Sequence, residues 1–219
     1  HEIIEKTFVD ADGKEVSLKI GITGIVPPQI LNWDKALLEG KVLVNDAVES
    51  LNTLVPQMRA EGADVVLVLS HSGIGDNVYE KGEENVGYQI AGIPGVDAVV
   101  TGHSHAEFPS GDGSGFYEKY PGVDGVNGTI NGTPVTMAGK YGDHLGVIDL
   151  NLSFTDGKWT VNKGTGAIRK IDTKSTETDS TIWAIAKEAH EGTVNYVRQE
   201  VGQTTAPINS FFALVKDDP

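Results

Sequence analysis

The chain contains no cysteine, so disulfides, thiolate zinc sites and cysteine nucleophiles are excluded. Nor does it contain a cluster of Lys or Arg. With 17 basic against 31 acidic residues its net charge is −14, a field that repels nucleic-acid polymers and anionic membranes and draws in divalent cations. Apolar runs such as Val65–Leu69 fall far short of the roughly 18 residues a spanning helix needs, so no membrane insertion is expected. The first twenty residues are too charged for a signal peptide. The first residue is His1 rather than Met, which predicts a chain processed or cut from something longer. Internal repeats and low-complexity segments are absent too. What is present is a hydrophobic content of 39% over 219 residues, enough to bury the core of a soluble globular protein.

Alternation of apolar and polar residues across Lys6–Val26 predicts a hairpin around Asp10-Ala11-Asp12-Gly13, closed by Pro27-Pro28. DADGKE has the look of a calcium loop but lacks its third acid and its terminal glutamate, so it reads as a turn. From Asn45, read as the N-cap, the residues Ala47, Val48, Leu51, Leu54, Val55 and Met58 follow helical spacing up to Gly62, with Pro56 read as a site for a kink. Val65–Leu69 and Val96–Val100 read as buried parallel strands joined through a helix over Glu84–Ile93. Ser110–Gly142 reads as a long surface excursion with a short strand near Pro134–Met137. Leu145–Phe154 and Trp159–Ile171 form a second hairpin around Thr155-Asp156-Gly157-Lys158. Ser180–Gln199 is an amphipathic helix capped by Thr178 or Asp179, with Gly202 beyond it, and the tail Ser210–Pro219 leads into something further.

Ligand crevices of open parallel sheets lie beyond the carboxyl ends of the strands. Two apolar runs here end in SHSG and GHSH, putting His71 past one strand and His103 and His105 past its neighbour. If His103-Ser104-His105 is extended, its outer side chains share a face, and Gly73 and Gly102 permit the sharp turns that aim the three rings together. Imidazoles favour a transition metal over calcium or magnesium. His144 reads as a structural hydrogen-bonding residue, with a place in the same cleft as the alternative, and His190 reads as solvated. No Gly-x-Ser-x-Gly elbow surrounds Ser70, Ser72 or Ser104, and neither GKYGDHLG nor NKGTGA fits a nucleotide-phosphate loop. Trp33, Phe108, Trp159, Phe211 and Phe212 read as core or anchoring aromatics, with stacking on a base the alternative.

SHSG and GHSH, at this spacing and with GIVPPQILNWDKALLEGK (Gly24–Lys41), AEGADVVLVLSHSG (Ala60–Gly73), IPGVDAVVTGHSHAEFP (Ile93–Pro109), GDHLGVIDL (Gly142–Leu150) and ALVKDDP (Ala213–Pro219), carry a family likeness. The chain resembles the calcineurin-like metallophosphoesterases. Within them it is most similar to the exported bacterial 5′-nucleotidase group, and there to the 2′,3′-cyclic-nucleotide 2′-phosphodiesterase/3′-nucleotidases. The resemblance implies an α/β fold, part of a two-sheet sandwich flanked by helices, with a mixed sheet and a βαβ unit carrying the metal ligands. It implies two divalent transition-metal ions, zinc or manganese, that clamp a phosphate. His71 and His103 would hold one ion and His105 the other, and the ions would reconcile an acidic protein with an anionic substrate.

The same resemblance exposes what is missing. No Asp-x-His and no Gly-Asn-His-Glu occurs, and no Gly-Asp stands upstream of the matching region. Residues 1–202 are therefore expected to be the C-terminal part of a catalytic domain, and 203–219 a linker toward a nucleotide-binding domain. The partners expected are a nucleotide or cyclic nucleotide, the missing N-terminal half and that further domain. No catalytic residue is assigned, and alone the chain is expected to be inactive or nearly so and to bind metal weakly. The resemblance implies a periplasmic, extracellular or cell-wall location. A 5′-nucleotidase is one alternative, and a non-catalytic extracellular metal- or ligand-binding module is another.

Overall fold

The computed structural model describes residues 1–10 and 12–207. Phe211, Phe212 and the tail from Ser210 lie outside them, as does the ALVKDDP match. Strands β1 (Glu2–Val9) and β2 (Glu15–Ile25) form the first hairpin, pairing antiparallel from Glu2↔Ile22 to Val9↔Glu15. In its turn the Asp10 carboxylate accepts the N–H groups of Asp12 and Lys14 at 3.0 and 2.9 Å, the turn chemistry expected of this stretch. After Pro27-Pro28 come two short helices, α1 (Ile30–Trp33) and α2 (Lys35–Leu38).

Helix α3 (Ala47–Ala60) buries Ala47, Leu51, Val55 and Met58 along one stripe and runs on through Pro56. Its N-cap is Asp46, not Asn45. The Asp46 carboxylate accepts from Glu49 N–H, Gly82 N–H and the Tyr79 hydroxyl at 2.8–2.9 Å, three partners that an asparagine one residue earlier does not reach. Strand β3 (Val65–Ser70) follows, parallel to β2 from Ile20↔Val65 to Ile25↔Ser70. The sequence signalled β2 only as a hairpin partner, yet it is also the first strand of a βαβ unit.

A second unit runs through α4 (Gly87–Ala91) into β4 (Ala98–Thr101), parallel to β3 with Ser70 opposite Thr101. The helix is shorter than the predicted Glu84–Ile93 because the residues before it are occupied in loop contacts. Ser72 Oγ donates to Glu84 C=O at 2.9 Å and accepts from Val86 N–H at 2.8 Å, and Asn85 Oδ1 accepts Gly73 N–H at 2.8 Å. Strand β5 (Glu107–Phe108) precedes the excursion, which carries a 3-10 turn at Phe116–Lys119, β6 (Val123–Asp124), β7 (Thr129–Ile130) and the expected strand, β8 (Thr133–Ala138). The sheet order is β1-β2-β3-β4-β8-β7-β6, with β5 also against β8. Its parallel centre is β2-β3-β4-β8.

Helices α3 and α4 cover one face, where Leu51, Met58, Val66, Val68, Ile74, Ile90, Val99 and Met137 are wholly buried. The second hairpin, β9 (His144–Thr155) and β10 (Lys158–Lys170), covers part of the other. Its register slips between Val161 and Lys163, and Trp159 Nε1–H donates to Ser17 C=O at 2.6 Å, tying its tip to β2. The cover is incomplete. A cleft of about 350 Å³ lies between Leu67, Val100 and Ala138 of the sheet and Ile148 and Leu150 of the hairpin, and Leu69 and Val100 stay 45% and 40% exposed. Parallel strands are normally buried on both faces.

The chain divides into two compact units, His1–Ile171 and the residues from Asp172 onward, whereas the sequence reading kept 1–202 together. The second holds α5 (Ser180–Val197), capped by Asp179, whose carboxylate accepts Thr181 and Ile182 N–H at 2.9 and 3.0 Å. This helix buries none of its residues, and His190 is exposed, as expected. Among the described residues no helix is long and apolar enough to cross a membrane.

Candidate metal centre

His71 follows β3 directly, its N–H donating to Ile25 C=O at 3.0 Å. His103 stands two residues past β4, and because the two strands end level, the rings meet: His71 Nε2 and His103 Nδ1 are 3.3 Å apart. Two donors sharing one ion at metal–nitrogen lengths of about 2.0–2.1 Å stand roughly this far from each other.

Two neighbours hold the His103 ring. Glu84 Oε1 lies 2.6 Å from Nε2. An ionised carboxylate only accepts, so Nε2 carries the proton and Nδ1 keeps its lone pair toward His71. Trp33 stacks on the other side of the ring, centroids 5.1 Å apart and planes 25° apart. Sequence reasoning missed Glu84, and it placed Trp33 among core or anchoring aromatics, whereas Trp33 is 49% exposed and packs on an imidazole. Trp33 arrives because β2 is parallel to β3, so a third strand end feeds the same edge, and Glu84 arrives through the Ser72–Asn85 contacts.

His105 lies beyond the same strand, exposed, its ring 6.0 Å from that of Tyr141. Donor atoms of His71, His103 and His105 do not form a group all within 4.8 Å of one another among the described residues. The structure thus brings two of the three expected ligands together, and His105 stands apart from that pair.

How the backbone delivers the rings differs from expectation. The run is not extended: His103 and His105 have φ of 63° and 59°, a left-handed conformation that costs a non-glycine residue about 1–2 kcal/mol. Such outliers persist where surrounding structure imposes them, commonly at functional sites. The glycines do not make these turns. Gly102 has open space where a Cβ would stand, whereas a Cβ on Gly73 would meet Asn85 Oδ1 at 2.5 Å and Ser104 Oγ at 2.7 Å. Gly73 is there so that the two histidine loops can touch.

A further cluster lies beyond His105. His144 Nε2 is 3.7 Å from Glu107 Oε2 and its Nδ1 is 3.2 Å from Asp143 Oδ1. The expected structural hydrogen bond at His144 is not found, since Nδ1 is buried without a hydrogen-bond partner.

A family model described as calcineurin-like phosphoesterase matches residues 3–107. Over 221 residues, 99% of this chain and 15% of the relative, the sequence is 46% identical to the trifunctional nucleotide phosphoesterase protein YfkN of Bacillus subtilis. Over 222 residues, 99% of this chain and 33% of the relative, it is 43% identical to a 2′,3′-cyclic-nucleotide 2′-phosphodiesterase/3′-nucleotidase of Haemophilus influenzae. A crystal structure of the calcineurin-like phosphoesterase YfkN superposes with a TM-score of 0.83 at 42% identity, covering 90% of this chain and 58% of that one. The chain thus spans a third or less of the length of these curated relatives.

Proposed function

Because the chain belongs to the calcineurin-like phosphoesterases, we propose that it is part of the catalytic domain of a metal-dependent phosphoric ester hydrolase acting on 2′,3′-cyclic nucleotides and 3′-nucleotides. The observation that carries this is the 3.3 Å approach of His71 Nε2 and His103 Nδ1 at the ends of two adjacent parallel strands, with Glu84 on the outer nitrogen. Two imidazole nitrogens with a carboxylate behind one of them suit zinc or manganese better than calcium or magnesium. In this reading His71 and His103 hold one ion and His105 contributes to a second. Bound divalent ions would supply Lewis-acid polarisation of the phosphoryl oxygens and a lowered pKa for water.

The chain's own residues do the rest. Glu84 fixes the His103 tautomer by accepting Nε2–H, Trp33 keeps water from one face of that ring, and the Ile25 carbonyl anchors His71 through its backbone. The apolar face at Leu69 and Val100 is where the missing N-terminal half of the domain would pack, bringing its own ligands to the same edge. A nucleotide-binding domain would follow, and the location would be periplasmic or extracellular, as in the exported group the chain resembles.

The test uses the intact parent polypeptide with bis-p-nitrophenyl phosphate and 3′-AMP in the presence of Mn²⁺ or Zn²⁺. His103→Ala should lower the rate by on the order of 100-fold or more, since even outer-shell changes at metal sites cost 10–100-fold. Activity that survives the change contradicts the reading.

A further inference from the structure

We propose that Glu107, Asp143 and His144 form a divalent-cation site of their own, built from residues that take no part in the His71–His103 pair. Three elements converge on it. Glu107 is on β5, held by its pairing with Ala138 of β8, Asp143 ends the turn before β9, and His144 is the first residue of β9, opposite Lys170 of β10. One donor atom from each of the three lies within 4.8 Å of the other two.

The side chain that points to a ligand is His144. It is only 8% exposed, and its Nδ1 is shut off from water with no hydrogen-bond partner. The Asp143 carboxylate oxygen is 3.2 Å away, close enough for a contact but not aligned as a hydrogen bond. A buried polar atom left in this state is destabilising, because it has given up its bonds to water and gained none in return. A proton cannot settle the contact well, because hydrogen bonds weaken steeply when bent. A metal ion can, since donors at 2.0–2.2 Å from one ion are separated by about 3 Å when they sit side by side on it.

Asp143 is preset for the role: Lys140 N–H donates to its Oδ1 at 2.9 Å and fixes the carboxylate against the turn. Glu107 Oε2 stands 3.7 Å from the other ring nitrogen, Nε2, and this side chain, 55% exposed, has the freedom to swing a carboxylate oxygen toward an ion on Nδ1. Two carboxylates offset the charge of a dication, and the imidazole biases the site toward zinc or manganese over calcium or magnesium. Position gives the site a context. Glu107 lies two residues after His105, and Asp143 two residues after Tyr141, whose ring faces His105.

The proposal stands on this geometry and does not depend on the phosphoesterase reading. The probe is Zn²⁺ alone, titrated calorimetrically into the chain carrying His71→Ala, His103→Ala and His105→Ala, so that none of the histidines expected to bind the phosphoesterase ions can respond. One equivalent should bind, and Glu107→Gln or His144→Ala added to that background should weaken it by about tenfold or more. Glu107→Gln changes a charge on an exposed side chain, so it carries the test if His144→Ala fails to fold by circular dichroism. A background chain that takes up Zn²⁺ only at millimolar concentration, an adventitious ion only, overturns the proposal. Binding that is indifferent to both added changes overturns it as well. Failure of the phosphoesterase reading would appear instead in the ester assay and leave this titration unaltered.

Discussion

Glu84 Oε1 lies 2.6 Å from His103 Nε2, and its effect there is to decide which ring nitrogen is left for a metal. Glu84→Gln keeps the shape but presents a weaker acceptor or, flipped, a competing donor. Zinc affinity should fall about 10–100-fold with the fold intact, read by calorimetric titration beside circular dichroism. Unchanged affinity would mean that the tautomer is set elsewhere. His71 and His103 were legible in the sequence because each follows an apolar run short enough to be a buried strand. Glu84 was not, because its approach depends on Asn85 Oδ1 reaching Gly73 N–H across twelve residues of loop, a closure that no spacing rule encodes. The left-handed backbone at His103 and His105 was equally hidden, since histidine adopts it only where the surroundings require it.

At the scale of elements, α3 holds the helical layer on the sheet, and Asp46 holds the start of α3. Burial pushes the Asp46 carboxyl toward a higher pKa, but the N–H groups of Glu49 and Gly82 and the Tyr79 hydroxyl outweigh it and hold the pKa below the ordinary 3.8. A carboxylate whose folded pKa is depressed contributes stability above its unfolded pKa and loses it as pH falls through the folded value. The stability difference between the parent and Asp46→Asn should therefore be greatest above pH 4 and shrink below 3.8. Urea midpoints across that range check it, and a difference independent of pH would contradict it. At neutral pH Asp46→Ala should cost about 1–2 kcal/mol for the lost cap. Leu51→Ala, in the wholly buried stripe, should cost about 2–5 kcal/mol. Periodicity revealed this helix and its buried stripe, but not its cap, because Asn45 and Asp46 are equally good capping residues and only the partners at Tyr79 and Gly82 distinguish them. The parallel pairing of β2 with β3 was hidden for a related reason: the hairpin accounts for the same alternation.

For the molecule as a whole, the unusual feature is a parallel sheet with one face partly bare. Leu69 and Val100 look like core residues in the sequence, and alternation alone cannot show that the described residues leave them 45% and 40% exposed. If another part of the polypeptide packs there, Leu69→Glu should have opposite consequences in two settings. In this chain alone it should alter stability by no more than about 0.5 kcal/mol and reduce binding of an apolar dye. In the intact parent it should cost about 3–5 kcal/mol as an unpaired buried charge, visible as a lowered thermal midpoint. Equal effects in both settings would leave the face without a partner.

The central claim is that His71 and His103 share one divalent ion through Nε2 and Nδ1. Nitrogen-15 correlation spectra of the imidazole rings during Zn²⁺ titration report those atoms directly. The account predicts that the signals of His71 Nε2 and His103 Nδ1 move together, and that His71→Ala abolishes the shift at His103. A shift confined to one ring, or none at either, would contradict it.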